Sequence, residues 1–134
     1  MKRIAVCFDG TWNRPEEILG EDFPTNVLQF ARAIRPTDGN GVEQVVFYDW
    51  GIGSYHDSLR AGATGYGLEK NVMDGYRFLV HNYEPGDEIF LFGFSRGTYT
   101  ARSLRGVINN CSILPKRYGS RNGEALKLCK TKNH

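Results

Sequence analysis

Two kinds of apolar pattern alternate along the chain. Short, mainly apolar runs lie at residues 3–8 (RIAVCF), 43–51 (EQVVFYDWG) and 89–94 (IFLFGF). Short runs of this kind, rich in β-branched and aromatic residues and closed by turn formers, predict strands. The third shows no polar alternation, which predicts a strand covered on both faces. Between these runs the apolar residues recur at helical spacing. Val27, Leu28, Ala31 and Ile34 make one stripe, with Thr25 or Asn26 as cap and Pro36 after the last turn, predicting a helix over 26–35. Leu68, Val72, Tyr76, Leu79, Val80 and Tyr83 make a second stripe over 68–83. A third helix is predicted from Arg96 to about Asn110. The order β-α-β-α-β-α is that of a three-layer α/β fold, a parallel sheet with right-handed crossovers. Residues 1–115 form this unit, and 116–134 read as a basic, weakly structured tail.

The 134 residues allow one domain at most, burying about two-thirds of its unfolded surface. The start, MKRIAVCFDG, holds too short an apolar core for a signal peptide. No stretch approaches the roughly 18 apolar residues of a membrane span. The expectation is a cytoplasmic chain with no transmembrane segment, any secretion following a signal-less route. Cys7, Cys111 and Cys129 show no metal spacing and read as reduced thiols, Cys7 within a strand. The net charge of +2 conceals an asymmetry. Up to Ser95 there are 8 Lys/Arg against 14 Asp/Glu, and from Arg96 onward 9 against 1. Such a balance can favour nucleic acid or an anionic lipid surface. Charge runs usually face solvent, however, so this half reads as a helix with a solvated basic face and a frayed end, with no nucleic acid as partner.

The chemistry concentrates at GFSRG, residues 93–97. Ser95 follows a buried strand and opens a helix, the setting of a nucleophile elbow. Gly93 and Gly97 are needed because side chains there would clash with the neighbouring strand and helix. The helix start favours negative charge, so the Arg96 N–H is one oxyanion donor. DGTWN after the first strand ends at the same sheet edge, making Gly10 and Thr11 candidates for the second donor and Asp9 a supporting residue. Two rival patterns are weaker. VCFDGT echoes the D-x-D-G-T of aspartate-nucleophile phosphatases, but Cys7 stands where that nucleophile belongs. GATGYG has the spacing G-x-x-G-x-G and does not directly follow a strand, so it is a poor dinucleotide fingerprint. The serine chemistry requires no metal and no cofactor, and Asp9 and Asp49 read as loop caps.

FDGTWN, YDWGIGS, GATGYGLEKNVMDGYRFL and YEPGDEIFLFGFSRGTYTARSLRGVI together resemble the catalytic domain of type VI secretion phospholipase effectors. The resemblance runs over about residues 3–115. It implies an α/β-hydrolase core with its strands in the order second, first, third, and an esterase or lipase acting on acyl esters of glycerophospholipids. It also implies Ser95 as nucleophile, Arg96 as an oxyanion donor, and the loop carrying Asp9, Gly10 and Thr11 as the pocket's other wall. Thr98 stands where the family commonly has alanine.

In α/β-hydrolases the acid and the histidine follow the serine along the chain. After Ser95 this sequence holds no aspartate, one glutamate (Glu124) and one histidine (His134). The resemblance therefore implies a longer domain, of which these residues are the nucleophile-bearing half, an incomplete core without its triad Asp and His. Of the earlier histidines, His81 falls on the outer face of its helix. His56 lies in the loop after the second strand, at the edge where Ser95 emerges, and is the speculative base, with Asp49 or Asp57 to orient it. Three readings follow: half of a serine ester hydrolase, a non-catalytic remnant binding a lipid or protein partner, and a nucleotide binder using GIGS and GATGYG. A core cut beside IFLFGF leaves an apolar edge, so self-association or pairing with another chain through that edge is expected.

Overall fold

A computed structural model of the chain describes residues 1–10, 24–50, 65–121, 123–124 and 127. The order is β1 (Arg3–Phe8), α1 (Asn26–Ala33), β2 (Gln44–Asp49), α2 (Gly65–Asn82), β3 (Glu88–Gly93), α3 (Arg96–Cys111) and a 3-10 helix (Lys116–Arg121). The sheet is parallel in the order β2-β1-β3, as the resemblance implied. In the register Arg3 faces Gln44 and Glu88, and Phe8 faces Asp49 and Gly93. Helices cover both faces, so the architecture is a three-layer α/β sandwich.

Strand β1 is central because its residues are apolar on both sides: Ile4 to Phe8 are all buried. Ile4, Val6 and Phe8 form the core with Val72, Tyr76, Leu79 and Val80 of α2 and Ala101 and Leu104 of α3. Tyr76 is fully buried, and its phenol satisfies both sides of its oxygen. It donates to the Ser112 carbonyl (3.1 Å) and accepts from the Leu114 N–H (3.3 Å), tying the end of α3 to the core. Thr25 caps α1, its Oγ1 accepting from the Leu28 N–H at 3.1 Å.

Charged pairs set the amino edge of the sheet. Asp87 accepts from the Lys2 backbone N–H (2.8 Å) and from Lys2 Nζ (2.6 Å), joining the start of β1 to the turn before β3. Burial pushes the Asp87 carboxyl up, but the Lys2 bonds and the Glu84 N–H outweigh it and hold it at about 2. Arg3 bridges Asp38 and Glu88 on the same edge.

Two expectations change on contact with the structure, the covering of β3 and the state of Cys111. Strand β3 is not covered on both faces: Phe90 is 43 % exposed. The eight-residue α1 stacks Phe30 on Phe92 (centroids 4.4 Å apart). It leaves beside them a groove of about 260 Å³ lined by Ala5, Ile34, Phe90 and their neighbours. Residues 116–121 form a 3-10 helix against α2, with Gly119 buried beside the His81 ring. Cys7 is a buried thiol, but Cys111 is disulfide-bonded, which corrects its reading as reduced. Among the described residues β3 pairs only with β1, so its outer edge is open. No helix of the described residues is long and apolar enough to cross a membrane.

Candidate active site

Parallel strands deliver their carboxyl ends to one edge, and there β1, β2 and β3 end at Phe8, Asp49 and Gly93. The chain after β3 turns sharply. The Phe94 N–H donates to the Phe8 carbonyl at 3.0 Å, extending the β1 ladder by one bond. Ser95 then takes φ 52° and ψ −123°, a conformation that L-residues adopt at a cost of about 1–3 kcal/mol. It is the N-cap position of α3, yet its side chain makes no cap hydrogen bond. Serine normally spends its hydroxyl on such a bond. Here that bond is not made, and Ser95 is exposed.

The flanking glycines make that turn sterically feasible. A Cβ on Gly97 would lie 2.2 Å from the Phe8 carbonyl oxygen and 2.7 Å from that of Asp9. A Cβ on Gly93 would lie 2.5 Å from the Gly97 oxygen. All these neighbours are backbone atoms, which have no rotamer to move. The first turn of α3 therefore rests directly on the ends of β1 and β3, and any side chain at either position would lift it away. Thr98 uses its Oγ1 to donate to the Gly93 carbonyl at 3.2 Å.

On the other side of β1 lies a polar cluster that the sequence did not reveal. Asp9 is only 2 % exposed. Its Oδ1 accepts from the Gly10 N–H (2.9 Å), and its Oδ2 accepts from Thr25 Oγ1 (2.6 Å) and Tyr48 Oη (2.6 Å). One buried carboxylate thus joins the ends of β1 and β2 to the cap of α1, compensated by three donors. Burial pushes the Tyr48 hydroxyl well above its ordinary range, and the Asp9 carboxylate adds to the shift. Burial raises the Cys7 thiol to about 11, with Asp9 again contributing. A thiol so protonated is a poor nucleophile, which further weakens the phosphatase pattern. The only signal for the cluster was Tyr48 near the end of an apolar strand, which does not name its partner.

Of the expected site residues, Asp9, Gly10, Gly93, Ser95, Arg96 and Gly97 all gather at this edge. The Gly10 N–H is occupied, donating to Asp9 Oδ1. Thr11, His56 and Asp57 lie outside the described residues, as does GIGS and most of GATGYG. His81 is exposed near the end of α2, on the turn that leads into the amino end of β3 and so opposite to Ser95. Among the described residues there is no group of three His, Cys, Asp or Glu side chains that could hold a metal ion.

Comparison with known proteins follows the same lines. The chain is 33 % identical over 131 residues to an uncharacterised protein of Saccharomyces cerevisiae, YEL023C, the match covering 86 % of this chain. It spans 18 % of that relative's length. No solved structure matches. The family described as "T6SS, Phospholipase effector Tle1-like, catalytic domain" matches residues 2–134, and the chain belongs to that family.

Proposed function

We propose that this chain carries the nucleophile and the oxyanion-binding edge of a serine ester hydrolase acting on acyl esters of glycerophospholipids. One observation carries the proposal: Ser95 sits at positive φ between β3 and α3, hydroxyl unused in capping, on glycines that admit no Cβ. The family's description supports a phospholipase-type hydrolase in general. In the reaction Ser95 Oγ attacks the ester carbonyl carbon and its proton passes to a general base. The carbonyl oxygen gathers negative charge, which the Arg96 N–H at the start of α3 stabilises together with an amide of the loop carrying Gly10 and Thr11. The Gly10 amide being held by Asp9, Thr11 is the loop donor. The C–O bond to the glycerol oxygen then breaks, that oxygen takes the proton, and water releases the acyl group from Ser95.

The base and the acid remain to be supplied. In this reading they come from polypeptide outside the 134 residues, for which the length of the yeast relative leaves room, with His56 as the alternative within them. A second reading has one observation in its favour. Among the described residues no histidine lies at the edge holding Ser95, so the same fold can serve as a non-catalytic binder of a lipid or protein partner.

Labelling by a fluorophosphonate probe, with Ser95→Ala as control, separates them. Labelling of the folded chain that vanishes in the variant establishes an activated serine. Its loss in His56→Ala would then assign the base. A folded chain that stays unlabelled supports the binding reading.

A further inference from the structure

The exposed side of α3 takes no part in the chemistry above, yet its composition is distinctive. From Arg96 to Arg121 the chain has six Lys/Arg and no Asp or Glu. On α3 itself Arg96, Arg102 and Arg105 are all exposed, while Thr100, Ala101 and Leu104 turn inward. Residues three and four apart share a helix face. Tyr99, Arg102 and Ser103 therefore follow Ser95 along one outward stripe, with Arg105 and Asn109 at its border. Tyr99 is 64 % exposed and Phe94, just before Ser95, is 46 % exposed. Trp50, 49 % exposed, closes β2 on the same sheet edge.

We propose that this face, formed by α3 and the carboxyl edge beside Ser95, docks on a membrane surface containing anionic phospholipid. Tyr99 and Trp50 each combine an apolar ring with a polar group, so they partition to the boundary between headgroups and acyl chains, and Phe94 adds apolar area beside them. Arg102 and Arg105 lie on a helix that holds no acid and are drawn to anionic headgroups, each strengthening binding about fivefold. The two kinds of group are interleaved along one stripe that begins at the proposed nucleophile. A molecule held by this stripe presents Ser95 to the lipid layer from which an acyl ester would be drawn. The rest of the surface does not compete: residues up to Ser95 carry a net excess of six acids. A protein partner covering this stripe by apolar packing would have to bury two arginines, which is costly without acids to meet them. The choice of lipid as partner rests on the ester-hydrolase reading.

The test uses the full chain with Ser95→Ala, so that binding is read without turnover. Cosedimentation is measured with vesicles of phosphatidylcholine plus phosphatidylserine, and with phosphatidylcholine alone. Binding is expected only to the anionic vesicles and is weakened at about 0.5 M salt, where surface charges are screened. Arg102→Gln with Arg105→Gln should lower the partition about 25-fold, and Tyr99→Ser should lower it further. Arg32→Gln with Arg77→Gln removes the same charge elsewhere on the surface and should leave binding within twofold. These exposed substitutions should leave the melting temperature nearly unchanged. No binding to anionic vesicles, or equal loss in the two double variants, overturns the proposal. Capture by single-stranded RNA in preference to vesicles overturns it too, assigning the face to polyanions. Because Ser95 is absent throughout, failure here leaves the esterase reading standing, and an unlabelled Ser95 would leave this surface standing.

Discussion

Replacing Gly97 by alanine tests the packing on which the Ser95 turn depends. The added Cβ would lie 2.2 Å from the Phe8 oxygen and 2.7 Å from both the Asp9 oxygen and the Phe8 carbonyl carbon. Carbon–oxygen contacts relax only at about 3.3 Å, so α3 and the end of β1 must separate by roughly 1 Å. Neither side can yield cheaply, because β1 is the central strand and Ala101 and Leu104 anchor α3 in the core. Overpacking of this kind costs about 1–3 kcal/mol. The separation also stretches the bond from the Phe94 N–H to the Phe8 carbonyl, now 3.0 Å, adding about 1 kcal/mol. A loss of about 2–4 kcal/mol should lower the urea midpoint by roughly 1–2 M. Gly106, on the same helix, is the control: a Cβ there would meet nothing within 4 Å. Gly106→Ala should raise stability by about 0.5–1 kcal/mol, through helix propensity and a less disordered unfolded chain. Urea titration followed by circular dichroism reads both. A Gly97→Ala midpoint equal to that of the wild type would refute the close approach of α3 to β1.

Three further outcomes follow from the same edge and its opposite. Ser95→Gly should raise stability by about 1 kcal/mol or more, because glycine accepts φ 52° without strain; Ser95→Ala, which keeps the Cβ, should not, and equal midpoints would show that the turn stores no strain. Tyr48→Phe leaves the buried Asp9 carboxylate with two of its three donors and should cost about 1–3 kcal/mol by thermal denaturation; a neutral result would mean that this hydroxyl does not help to hold the carboxylate. Asp87 supplies a pH dependence: its folded value, about 2, lies below the ordinary aspartate value of about 3.9. The unfolded chain therefore binds the proton more readily, and the Asp87 contribution is complete above about pH 4 and lost as pH falls towards 2. Asp87→Asn should flatten the stability profile in that window, and an unchanged profile would show that other carboxylates govern it.

What was legible in the chain was what is local. Strands β1 and β3 and the turn at Ser95 are each set by a few consecutive residues: apolar runs, then GFSRG. The same holds for the cap of α1, where Thr25 reaches only three residues ahead. What was illegible spans the chain. Asp9 finds Thr25 and Tyr48 across 16 and 39 residues, and nothing in DGTWN or VVFYD marks one as the other's partner. A clash at Gly97 was expected from its motif, but not its partners: the atoms that exclude its side chain belong to Phe8 and Asp9, at the far end of the sequence. The uniform apolar run of β3 was read as a strand buried on both faces. Its composition fits a central strand, whereas among the described residues it lies at the sheet's edge with Phe90 uncovered. That mismatch is itself informative. An edge strand this apolar is normally blunted by charge, a bulge or a covering segment, and the outer face of α3, with its exposed arginines, is not built in that way. The two surfaces therefore differ in kind: the edge of β3 is apolar with Phe90 uncovered, and the outer face of α3 carries exposed arginines.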